Sequence, residues 1–170
     1  MRRIETVLFT LFLISVTSCT VRIASHQSQP DKRFERLQKE RDKLARVTDP
    51  VDRTKSDIVI SEILLSLAGD AARSGEPEAL EKRLNEYIDT IQDAHQTMIK
   101  TGRDAHRKPK GFKDLEIALR RHIRMLDDLG HGVTFDQRAP VDKAKQQATD
   151  IREDLLKALF GEQNAPSRKS

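Results

Sequence analysis

Three places in this chain hold residue types that can do chemistry. The first is the segment GRDAHRKPKGFK at 102–113, which carries Arg103, His106, Arg107, Lys108, Lys110 and Lys113. Clustered cations beside Gly111, where a helix is expected to begin, would add to the free amides and positive dipole end of that helix. Such a cluster suits an anion, a phosphate or a carboxylate. Arg120, Arg121 and Arg124 extend the charge further. The competing reading is a solvated, highly charged turn. Nucleic acid is not the expected partner, because the segment's single phenylalanine, Phe112, falls short of the set of aromatic residues on which single strands stack.

The second place is a histidine pair. If the helices on either side of Pro109 fold back on one another, residues whose numbers sum to about 218 lie opposite, and His95 faces His122. Two imidazoles with a carboxylate, Asp93 or Glu116, could hold zinc or copper. The Glu-x-x-His signature of bundle metal sites is absent, since Gln92 and Leu119 stand three residues before the histidines. The alternative is a core histidine satisfied by a hydrogen bond. Other catalytic patterns are missing: there is no Gly-x-Ser-x-Gly elbow, no glycine-rich phosphate loop and no Cys-x-x-Cys-His haem motif. The sequence therefore predicts neither an enzyme nor a cofactor.

The third place is Cys19, the sole cysteine, at the end of VLFTLFLISVTSC. Arg2 and Arg3 precede the apolar run Val7–Val16, and the small residues Thr17 and Ser18 follow it. A positive start, a short apolar run and a small-residue cut site predict a secretory signal peptide over 1–18. The run is too short to span a bilayer, which takes about 20 apolar residues. Val16-Thr17-Ser18-Cys19 resembles the lipobox of bacterial lipoproteins, a resemblance confined to residues 1–19. It implies a lipidated Cys19 as the first residue of the mature chain, with a diacylglyceryl thioether and an acyl chain on its amino group. Two or three chains anchor firmly, each buried methylene adding about 0.8 kcal/mol. Thr20 after the cysteine implies onward transport to the outer membrane, if the cell has one.

The elements that must position these residues are helical. Removing residues 1–18 takes two arginines and one glutamate from 31 basic and 27 acidic residues, leaving 29 against 26. That describes a highly charged but nearly balanced surface. A polar stretch, Thr20–Asp31, reads as a tether, so 19–31 is expected to link the lipid to a bundle domain at 32–161, with a disordered tail at 162–170. Helical periodicity predicts a charged first helix over Lys32–Val47 and a second from Pro50 to about Arg73, capped by Asp49. A third starts at Pro77 and continues near Ala105, a fourth carries Phe112, Leu115, Leu119, His122, Leu126 and Leu129, and a fifth starts at Pro140. Val133–Arg138 reads as a connector. Short connectors predict an all-α, up-and-down antiparallel bundle of four long helices plus the charged leader.

Together these readings predict an exported lipoprotein, anchored through Cys19, with a non-enzymatic interaction domain at the cell envelope. The expected contacts are the membrane and an envelope protein or anionic surface, with self-association left open. A metal- or anion-binding module is the alternative.

Overall fold

A computed structural model describes residues 31–161. The expected signal peptide at 1–18, Cys19, the expected tether up to residue 30 and the expected tail at 162–170 lie outside the described residues. The described chain is all-α: α1 (Lys32–Leu44), α2 (Pro50–Arg73), α3 (Pro77–Lys100), α4 (Phe112–Gly132) and α5 (Phe135–Phe160). None of these helices is long and apolar enough to cross a membrane.

Local chemistry sets most boundaries. Asp31 caps α1 through the Arg33 amide, and Asp49 caps α2 through the Asp52 amide, with Pro50 just inside. Two boundaries differ from the sequence expectation. The third helix stops at Lys100 rather than running on to Pro109, because Gly102 turns the backbone to φ +61° and the chain breaks away. Ala105 is buried all the same, packed from the loop. The fifth helix begins at Phe135, well before Pro140. Thr134 and Gln137 form a reciprocal capping box that starts the helix. Pro140 then sits inside α5, where the amide it lacks affects only the opening turns.

Side-chain ties give the helix directions. Glu62 pairs with Arg121, and Leu65 and Gly69 share a groove with Met125 and Leu129, so α4 runs parallel to α2. Asn85 accepts from Lys143 at 3.3 Å and Gln147 from Gln92 at 2.9 Å, so α5 runs parallel to α3. Lys145 pairs with Asp127 and Arg152 with Glu116, which sets α4 and α5 antiparallel. Around the bundle the order is α2, α3, α5, α4, with α3 and α4 on a diagonal, barely touching.

That arrangement corrects the expected hairpin about Pro109. Successive helices still alternate in direction, but α3 and α4 are not neighbours. Residues 101–111 separate them, and eleven residues can span about 35 Å. Helix axes at a packed interface lie only about 8–10 Å apart, so this loop easily crosses the diagonal.

The core runs the length of the bundle through Leu64, Leu67, Leu80, Leu84, Ile91, Met98, Leu119, Leu126, Ala144, Ala148 and Leu155. Helix α2 is buried most widely because it meets α1, α3 and α4. Helix α1 lies antiparallel on α2: Arg33 at its start reaches Ser66 and Asp70, while Arg53 donates to the Leu44 and Val47 carbonyls at its end. The Arg83 guanidinium covers the exposed Phe34 ring at 5.2 Å.

Candidate functional site

The crossover 101–111 and the helix ends around it form one pole of the bundle. Its backbone is held by its own side chains. Thr101 Oγ1 accepts from the Arg103 amide at 3.2 Å, and Asp104 Oδ1 accepts from the His106 amide at 2.9 Å. His106 Nδ1 lies 3.1 Å from the Leu159 carbonyl. It donates there to an end carbonyl of α5, which makes His106 a cap that ties the crossover down.

The five candidate anion-binding residues do not converge. Arg103, Arg107, Lys108 and Lys110 are exposed, and Arg107 pairs with Asp104 at 3.5 Å. One first-turn amide of α4 is taken by the crossover, since Lys113 donates to the Pro109 carbonyl. Lys113 lines the cleft beside the crossover.

That cleft, about 470 Å³, lies between the crossover, α4 and the end of α5. Lys113, Ile117 and Arg120 line it from α4, and Leu159 and Phe160 from α5. Ile117 is 47 % exposed and Phe160 58 %. Beneath it, the buried Glu116 carboxylate accepts from Arg120 at 2.7 Å and from Arg152 at 2.9 Å. Glu116→Ala should therefore destabilise the fold by about 1–3 kcal/mol in urea melts, by leaving Arg152 half-buried without its partner. Glu116→Gln should recover part of that, and an unchanged midpoint in the alanine variant would show that the pair contributes nothing.

The sequence left Ile117 and Phe160 outside any site. A signal was available for Ile117, an apolar residue off the α4 seam with Lys113 and Arg120 on the same helix face. Phe160 carried none, because only the folding back of α5 brings it beside α4.

The two candidate metal ligands are not brought together. His122 is fully buried on α4, its Nδ1 3.5 Å from the Tyr87 hydroxyl and its ring edge-on to the tyrosine at 5.7 Å. Tyr87 stands eight residues before His95 on α3, about 12 Å along the axis. The parallel α2 agrees: His122 adjoins the Glu62–Arg121 pair, whereas Asp93, next but one to His95, acts on Asp57. The 218 register fails because it presupposed the α3–α4 hairpin. Of the two carboxylates proposed to complete the site, Asp93 is exposed and Glu116 is held by its arginines. No cluster of three metal-ligating side chains occurs among the described residues.

Burial lowers the pKa of both imidazoles, that of His122 to about 4, with Arg121 adding to the effect. Both are neutral at pH 7, and neither Nε2 has a hydrogen-bond partner among the described residues. Comparison with family models, with curated proteins and with solved structures yields no match for this chain.

Proposed function

We propose that this chain is an exported lipoprotein whose helical bundle acts by contact rather than by catalysis. The observation that carries the reading is Cys19, the chain's sole thiol, standing directly after a signal-type apolar run and the residues Val16-Thr17-Ser18. Acylation there would confine the bundle to a membrane surface of the cell envelope, and the tether would set its reach.

Two features of the bundle support contact as its mode of action. Its buried carboxylate at Glu116 is engaged by arginines. Its exposed apolar side chains Ile117 and Phe160 stand together with cations at one pole, as they do on surfaces that meet partners. If the bundle binds a small ligand, the arrangement favours an anion over a metal, because the cations at 103–113 share one pole while the two histidines stand about 12 Å apart along the bundle.

Replacing Cys19 with alanine should move the protein from the membrane pellet to the soluble fraction. Mass spectrometry of the native amino terminus should find an acylated cysteine. A free thiol on an uncleaved chain would remove the proposal.

A further inference from the structure

We propose that the cleft beside the 101–111 crossover binds an acidic peptide segment bearing an apolar side chain, presented by another protein. This names a partner class for the contact reading above and rests on it.

The chemistry of the walls selects the ligand. Lys113, Ile117 and Arg120 follow one another at i, i+4 and i+7 on α4, so a cation, an apolar group and a second cation share one helix face. The two cations stand about 10 Å apart along the axis. A strand with acidic residues three positions apart, or a helix with them seven apart, matches that span.

 The remaining wall, Leu159 and Phe160 from α5, offers an apolar surface to the side chain between the two acids.

The local charge balance points the same way. Glu116 is the cleft's own carboxylate, and two arginines hold it, so it leaves the site net positive. Across Lys100–Lys113 there are six basic residues against Asp104 alone, which would draw an acidic segment towards this pole. A carboxylated polymer without apolar groups would make no apolar contact with Ile117, which is 47 % exposed. A bilayer would place its charge on the outward Arg103, Arg107, Lys108 and Lys110 instead of in the cleft. The chain also enters the bundle at the opposite pole, where Arg33 at the start of α1 pairs with Asp70 near the end of α2. The 24 residues of α2 put about 36 Å between the poles, so the cleft lies at the end away from Asp31, where the described chain begins.

The test uses the full chain as cells make it, purified in detergent, and a dye-labelled peptide of sequence Glu-Glu-Leu-Phe-Glu-Glu read by fluorescence anisotropy. Saturable binding should weaken about tenfold in Lys113→Glu and in Ile117→Asp, with helix content by circular dichroism unchanged. Lys108→Glu and Lys110→Glu should weaken it no more than about twofold. Three results would overturn the proposal: no saturable binding, equal binding of hexaglutamate, or larger losses from the outer pair than from the cleft pair. Binding to phosphatidylglycerol vesicles through Lys108 and Lys110, without peptide binding, would overturn it in favour of a membrane contact. The Cys19→Ala chain separates the two levels of the argument. Peptide binding retained there, with the native cysteine found unacylated, would sink the anchor and leave the cleft standing.

Discussion

Asp57→Asn should stabilise the protein at pH 8 by about 2–4 kcal/mol and leave it nearly unchanged at pH 4. Asp57 is buried on α2, and that burial pushes its pKa up to about 7, with Arg53 opposing the shift and Asp93 on α3 adding to it. Its folded pKa therefore lies above the unfolded value, so the folded state binds the proton more tightly. The sign follows directly: the neutral form is tolerated below about pH 4, and stability is lost as pH rises from there through 7. Asparagine copies the shape of the protonated acid and cannot ionise.

His122 should tilt the profile the other way. Its folded pKa lies below that of the free side chain, so its contribution is present above about pH 6.5 and is lost as pH falls towards 4. The two groups oppose each other over much of the same interval, which should flatten the native pH profile. Asp57→Asn should expose the acid-side loss due to His122, and His122→Leu should expose the alkaline-side loss due to Asp57. Urea midpoints from pH 4 to 8 check both. A gain in Asp57→Asn that is equal at both ends would show that the carboxyl is not ionising inside the fold.

Gly111→Ala should cost about 2–5 kcal/mol, a large part of the 5–15 kcal/mol that holds a typical domain together. Gly111 starts α4 at φ +88° and ψ −56°, close to the strained three-residue turn that side chains avoid. A Cβ there would also stand 2.7 Å from Cε and Sδ of Met98. The methionine end is flexible, but Met98 is fully buried and Val51 Cγ2 closes the other side at 3.4 Å. Gly102 is the matched control. It has φ +61° but nothing within 4 Å of an added Cβ, so Gly102→Ala should cost only about 1–2 kcal/mol. Equal shifts in the two midpoints would mean that backbone strain alone matters and the Met98 contact does not.

Much of the fold was legible in the chain because helices announce themselves locally. Apolar residues at three-four spacing marked the seams of α3 and α4, and Asp49-Pro50 and Pro77 marked the starts of α2 and α3. Starts are harder to read where a proline competes with a cap. Pro140 drew the expected start of α5, while the capping box opened by Thr134, six residues earlier, set the real one. Glu116 shows a similar limit, because its arginine partner from α5 is 36 residues away and has no local signature.

By itself the sequence determined the helices, their caps and the polar faces, since each depends on residues within a turn or two of one another. It also placed the positive charge at 103–113. Tertiary structure alone decided which helices touch. An eleven-residue crossover leaves both neighbouring and diagonal packing open, and only the fit of whole faces selects between them. That choice parted His95 from His122, set Tyr87 against His122, and brought Phe160 beside Ile117 to make the cleft.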